Sequence, residues 1–451
     1  MHSLSKNRVR ALRGVILITA IVLCLLFLVS GISKSSVLLY PVQHRPLSDE
    51  KCLNRITAED IHAGGRVEEW DSSRVLKGIR TKRFKDNLKN DVNFITSWTD
   101  GSLTNQFIGY VNMIYLGTLS NRISIIPPFV PERPNDIAFS VTAIPFGYVF
   151  NISRAQGAMR QPIVEWMEVK NLVDAMSTAV QPASAREPLG CWSTQPASGV
   201  NALHPVVNNL GLDVGYTRLP LDIFVQDGHA EEAVLQFGRT VGYIDPVHPI
   251  RQPSSFALMQ PSFLGHRLTP DEQLTCIDNL HLATSSGNLD EWDFAWAPAW
   301  RFVGQYLHFM HNDIELAKSY LSRTFQVQAS NLPAFIAVAV PKTSSLPNLH
   351  KQVALVQANL KLEKNLENAK VLVISTVEDA QFWENVRDFG WSRLDHFKEM
   401  TLEKYGHWAR DVLDGVVASM AVGFIGEQHS AFAIVSARRV QEWNGGVVNL
   451  I

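Results

Sequence analysis

The sequence predicts an α/β protein of two Rossmann-like halves, placed behind an N-terminal membrane-spanning helix and a stem. Three observations carry this. Gly14 to Ser33 is an uncharged apolar run. A strand–helix–strand pattern begins near Asn93. After residue 330, wholly apolar strands alternate with helical patterns. Strands apolar on both faces and separated by helices belong to parallel sheets covered on both sides.

The N-terminal run holds twenty residues, about 30 Å of helix, which matches the hydrocarbon core of a bilayer. Lys6, Arg8, Arg10 and Arg13 precede it and only Lys34 follows closely, so residues 1–13 are expected in the cytosol and the remainder across the membrane. A cleaved signal peptide is the competing reading, with Ser30-Gly31-Ile32-Ser33 as its small-residue stretch. Residues 34–88 mix Pro, Ser and charge without periodicity and read as the stem.

The first half, 89–330, opens with Phe94–Trp98 as a buried strand, then a helix carrying Phe107, Tyr110, Val111 and Ile114 on one face. Ile123–Ile126 follows as a second strand closed by Pro127-Pro128, which completes a parallel βαβ unit. From about 135 to 300 the pattern is proline-rich and reads as loops and short elements, with tryptophans at 292, 296 and 300. The second half, 331–451, is clearer. Phe335–Val340, Val371–Ser375 and Val422–Gly426 read as strands. The helix from about Lys351 to Ala369 is expected to bury Leu355, Leu362 and Leu366. Further helices are expected at Gln381–Phe389, around Leu413 to Met420, and from Ser430. Ligands of such sheets sit in crevices at the carboxyl ends of the strands.

Three strand-to-helix turns therefore attract attention. Asp100-Gly101-Ser102-Leu103-Thr104-Asn105-Gln106 offers a tight glycine path, a helix N-terminus and neutral donors, a set that suits a diphosphate; an ordinary capped βα turn explains it as well. Glu427-Gln428-His429-Ser430 opens the last helix, where Ser430 caps it or meets phosphate. Ser375-Thr376-Val377-Glu378-Asp379 suits a ribose or a simple helix cap.

Other chemistries find little support. A net charge of -2 gives no reason to expect a nucleic-acid partner. There is no Gly-x-Ser-x-Gly elbow, Walker loop, His-Glu-x-x-His helix or Asp-x-Asp pair, so no metal ligands and no cofactor are expected. His308 and His311 read as a surface pair. Cys52, Cys191 and Cys276 would face an oxidising lumen; one bridge or three isolated thiols both fit. Asn151-Ile152-Ser153 is a glycosylation sequon suited to a surface loop.

Several of these segments occur in a telling order. Gly101-x-x-x-Asn105-Gln106, an apolar helix, and Leu119-Ser120-Asn121-Arg122 running into a strand that ends at Pro127-Pro128 resemble the first motif of the GDP-fucose protein O-fucosyltransferases. Residues 371–395 resemble a later segment, and Gly423 to Gly426 with Ser430, Phe432, Arg438, Arg439 and Trp443 resemble the last. Trp296 to Arg301 and Tyr306 to Phe309 resemble stretches of fungal members.

The resemblance implies a GT-B architecture and inverting, metal-independent transfer of fucose from GDP-fucose to a protein or glycan hydroxyl. It implies Asn105 at the reacting centre. It implies Gly101, Gln106, Ser375 and Ser430 around the donor, with Phe432 against the guanine. The family follows the strand matching Phe335–Val340 with His-x-Arg-x-Gly-Asp-Phe; here Pro341-Lys342-Thr343-Ser344 stands instead, and Lys342 is the cation in its place. A lysine lacks the two-pronged fork of a guanidinium. This leaves two alternatives to an active enzyme: a non-catalytic lumenal binding or scaffold protein, or a gene model short of one exon. The expected setting is a single-pass type II protein of the Golgi or endoplasmic reticulum.

Overall fold

The computed structural model describes residues 72–131, 143–172, 182–195, 204–225, 234–244, 259–288, 290–339 and 346–451. The expected spanning helix, the stem up to residue 71, Cys52 and Lys342 lie outside these. Among the described residues no helix is long and apolar enough to cross a membrane.

Residues 67–451 form one compact unit of mixed α/β structure. Seven strands make its first sheet: β1 (Phe94–Ser97), β2 (Ile123–Ile126), β3 (Ile163–Glu165), β4 (Glu187–Ser193), β5 (Leu212–Arg218), β6 (Met259–Gln260) and β7 (Leu274–Ile277). Their order is β3-β2-β1-β7-β4-β5-β6, parallel except for the last pair. The connection from β1 to β2 is helix α1 (Leu103–Leu119), buried almost all round because it packs on this sheet and on the second half.

The second sheet is wholly parallel. It holds β8 (Phe335–Ala339), β9 (Lys370–Ile374), β10 (Ser392–Arg393), β11 (Gly423–Gly426) and β12 (Val447–Leu450), in the order β10-β9-β8-β11-β12. The order reverses between β8 and β11, and a doubly wound sheet opens its ligand crevice at such a point. The longer helices packed around it are α2 (His311–Phe325), which precedes residue 331 but packs on α5, then α3 (Leu346–Lys364), α4 (Ala380–Asp388), α5 (Ala409–Ser419) and α6 (Ala431–Asn444).

Four sequence expectations need correction. Residues 72–88, read as stem, pack into the unit: Val75, Leu76, Phe84 and Leu88 join a core cluster with Trp98 and Trp166. Helix α3 buries Leu349, Val353, Val356 and Leu360, whereas Leu355 and Leu362 are 51% and 83% exposed. Two apolar stripes coexist on that helix, and the one spaced 4-3-4 faces the sheet. The stretch 135–300 supplies five strands of the first sheet. Glycine obscured them: a Cβ on Gly190 of β4 would lie 1.7 Å from the Thr269 carbonyl oxygen, so the strand needs glycine to let the chain cross it. His308 and His311 do not form a surface pair: His308 precedes α2, is half-buried and stacks on Trp443 at 4.1 Å, while His311 opens α2 and is exposed.

The structure also pairs the two cysteines among the described residues. Cys191 on β4 and Cys276 on β7 are bonded across neighbouring strands, 85 residues apart in sequence. Asn151 of the sequon starts a helix and accepts a hydrogen bond from the Arg154 N–H, so it is a cap rather than a loop tip.

Candidate functional site

Each turn singled out in the sequence follows a strand end. Gly101 takes φ +97°, a region that favours glycine, and Ser102 caps α1 by accepting the Asn105 N–H at 3.3 Å. The Asn105 side chain folds back over the glycine: a Cβ on Gly101 would lie 2.6 Å from Asn105 Nδ2. Ser430 caps α6 in the same way, accepting from the Ala433 N–H at 3.5 Å. Asp379 caps α4, and Ser375 Oγ accepts from the Val377 N–H.

These turns meet. A cavity of 270 Å³ is lined by Ser102, Leu103 and Thr104 after β1, by Ala339 at the end of β8, and by Ser375 after β9. Glu427, Ser430 and Phe432 line it after β11, and Asp411 and Asp414 line it from α5. Its floor lies at the order reversal of the second sheet, as the topology requires. Ser375, Ser430 and Phe432 are thus brought together. Gly101 and Asn105 stand just behind the lining part of their turn. Gln106, expected to offer donors to a ligand, faces elsewhere. Its Nε2 donates to the Gly101 and Val130 carbonyls at 2.9 and 2.7 Å, and its Oε1 accepts from the Val130 N–H at 3.0 Å. Both its donors and its carbonyl oxygen are engaged in holding the turn, which lets it be buried.

Sequence reading missed the acidic wall. Asp414 pairs with His396 Nε2 at 2.8 Å, and His396 Nδ1 lies 3.1 Å from Thr401 Oγ1, which meets the Tyr320 hydroxyl at 2.8 Å. Arg410 sits 4.0 Å from the other Asp414 oxygen and donates to the Ser375 carbonyl. Asp411 is reached by water yet set in a concavity, and burial followed by the charge of Asp414 raises its carboxyl above the ordinary range. The signal was present, since Asp411 and Asp414 are three apart on the polar face of a helix read only for its apolar one.

The two arginines of α6, Arg438 and Arg439, which the sequence offered as part of the last motif, are buried rather than solvated. The Arg439 guanidinium lies 4.3 Å from the Phe309 ring centroid and 4.8 Å from that of Phe107, with Phe150 and Trp443 each at 5.4 Å. Burial pushes it down to about 9. Arg438 Nη2 donates to the Asp293 carbonyl at 2.9 Å. Both tie α6 to the first half of the chain.

No protein-family model matches the sequence, and no curated protein matches it. Solved structures do. POFUT1 in complex with GDP is 14% identical, with a TM-score of 0.50, and the match covers 80% of this chain and 99% of that one. POFUT1 in complex with GDP-fucose gives 13% identity and a TM-score of 0.49 over 80% and 98% of the two chains. The fucosyltransferase NodZ from Bradyrhizobium gives 12% and 0.38 over 77% and 93%. At this identity the likeness is one of fold.

Proposed function

We propose that this chain is a fucosyltransferase-like glycosyltransferase that takes GDP-fucose as donor and a protein or glycan hydroxyl as acceptor. One observation carries the reading: strand-end turns from both sheets converge on a single cavity at the order reversal of the second sheet. The fold shared with POFUT1 in complex with GDP supports it. In this reading the N-termini of α1 and α6 face the diphosphate, Phe432 packs on the base, and Asn105 lies near the sugar. The acceptor oxygen forms its bond to the anomeric carbon as the carbon–diphosphate bond breaks, with inversion. GDP leaves with the bonding electrons, and the acceptor proton passes to Asp411 or Asp414. The reaction as proposed uses no metal. Lys342, three residues after Ala339 in the sequence, is the cation proposed to supply positive charge.

The proposed setting is the lumen of the Golgi or endoplasmic reticulum, with Gly14–Ser33 as anchor. The Cys191–Cys276 bond supports an oxidising compartment. A second reading, a lumenal binding or scaffold protein without turnover, is favoured by the carboxylates Asp411, Asp414 and Glu427 on a wall meant for a diphosphate.

Calorimetry with GDP-fucose, followed by donor hydrolysis or transfer, separates the two. Binding with turnover supports the enzyme, and binding without turnover supports the second reading. No binding at millimolar donor removes the donor site. Asn105→Ala should abolish turnover and leave the melting temperature nearly unchanged; a large fall would make Asn105 a structural residue instead. Sequencing the transcript across codons 335 to 350 tests for a lost exon.

A further inference from the structure

Beside the cavity, the loop after Ala283–Thr284 meets the turn between β11 and α6. The loop contributes Asp290 and Asp293, and the turn contributes His429. One carboxylate oxygen from each aspartate and one ring nitrogen lie within 4.8 Å of one another. His429 Nδ1 is 3.0 Å from Asp293 Oδ2 and 3.9 Å from Asp290 Oδ1.

The Asp293 side chain is only 9% exposed, and its Oδ2 receives no hydrogen bond. The imidazole is close enough but off the line that a ring N–H needs. The nearby Arg438 gives its Nη2 to the Asp293 backbone carbonyl, and its Nε has no partner. A buried carboxylate oxygen without a donor is costly, and native structures seldom leave one without reason.

The geometry points to a divalent transition-metal site, of the Zn²⁺ class, held by Asp290, Asp293 and His429. Zinc bonds to imidazole nitrogen and carboxylate oxygen at about 2.0–2.2 Å, which sets its ligand atoms roughly 3.3 Å apart. Asp293 Oδ2 and His429 Nδ1, 3.0 Å apart, stand slightly inside that spacing. Asp290, with its side chain 59% exposed and its Oδ1 3.9 Å from His429 Nδ1, is the ligand that would have to draw in. An imidazole ligand selects against Mg²⁺ and Ca²⁺, which prefer all-oxygen shells. His429 is 62% exposed, so water completes the coordination. Two carboxylates against one guanidinium leave the pocket net negative before the metal enters.

The trio does not line the cavity, so the metal is a clamp and not a participant in transfer. It joins a loop of the first half to the residue immediately before Ser430, which does line the cavity. This inference is independent of the donor assignment.

The test uses the full chain stripped with chelator, then titrated with Zn²⁺ by calorimetry and with Co²⁺ by visible absorption. One equivalent of Zn²⁺ should bind in the presence of excess Mg²⁺. His429→Asn, chosen because Asn tolerates the φ of 64° at this position, should weaken binding at least about tenfold, and so should Asp290→Asn. Both positions are exposed, and circular dichroism checks that the variants fold. The Co²⁺ bands should vanish in His429→Asn. Absence of Zn²⁺ binding, or binding unchanged in both variants, overturns the site and leaves the trio as an ion pair.

Discussion

Asp411→Asn tests the electrostatics of the cavity. A space of 270 Å³ has an equivalent radius of about 4 Å, which sets a wall carboxylate roughly 7 Å from a bound diphosphate. One like-charge pair at that distance costs about 0.6 kcal/mol in water and about 2.4 kcal/mol at the effective dielectric of a protein surface. Water reaches Asp411, so the lower figure governs. Against a ligand with two charges this gives about 1 kcal/mol, or roughly fivefold tighter binding for the variant near pH 7. The pH dependence follows from the raised carboxyl of Asp411. As pH falls, this group takes up a proton before an ordinary aspartate would. The wall loses a charge, and donor affinity rises in the wild type but not in the variant. GDP-fucose is the right probe, because a diphosphate diester lacks the terminal phosphate ionisation near pH 6 that would confuse GDP itself. Affinity by calorimetry is the readout, since turnover also depends on the base. Equal or weaker binding by Asp411→Asn, with a flat pH profile in the wild type, would refute the placement of the diphosphate.

Three further outcomes follow from geometry. Gly101→Ala should cost about 1–3 kcal/mol by forcing a Cβ at φ +97° against Asn105, and should reduce turnover more than donor binding; Gly78→Ala, with nothing within 4 Å, is the neutral control in the same urea titration. Removing the Cys191–Cys276 bond by double alanine substitution should cost about 4–5 kcal/mol by loop entropy for a separation of 85 residues, read from the same titration; a change below 1 kcal/mol would mean that the unfolded chain does not gain that freedom. His308 is held down to about 4 by burial, then by Arg154 and Arg439, so the folded state excludes a proton that the unfolded state binds. Stability should therefore climb as pH rises from about 4 to about 6.5 and level off above, by about 1–2 kcal/mol after allowance for solvent, and His308→Phe should flatten that limb while keeping the stack on Trp443.

What the sequence revealed and what it hid divide along a physical line. Strands buried on both faces, such as Phe335–Ala339 and Lys370–Ile374, announce themselves by composition, and so do the turns that end them. The Gly101 and Ser430 turns were therefore found, and they meet at one cavity. The strands Glu187–Ser193 and Leu212–Arg218 were not, because Pro188 interrupts the apolar run and Gly190 and Gly215 break it where another stretch of chain must cross. Helix α3 misled because its face is chosen by the sheet beneath it and not by its own pattern. The His396–Asp414 pair spans eighteen residues and two elements, so no local spacing encodes it.

The same contrast bears on how the cavity works. The sequence suggested two halves, and such pairs often close on a ligand by hinging. Here one continuous apolar cluster runs through both, from Phe107, Phe150 and Trp300 of the first to Phe335, Val416 and Ala437 of the second. Swinging the halves apart would bare that surface at about 25 cal/mol for every Å², and it would drag the Arg439 guanidinium out of its aromatic surround. The turns around the cavity are therefore held at nearly fixed separation before any ligand arrives. Preorganised helix N-termini lose no reorganisation energy when an anion binds, which is the condition under which backbone dipoles can offset an acidic wall. A donor that binds without measurable change in the separation of the Gly101 and Ser430 turns, followed by paired probes on the two turns, would fit this account; a closure of several ångströms would not.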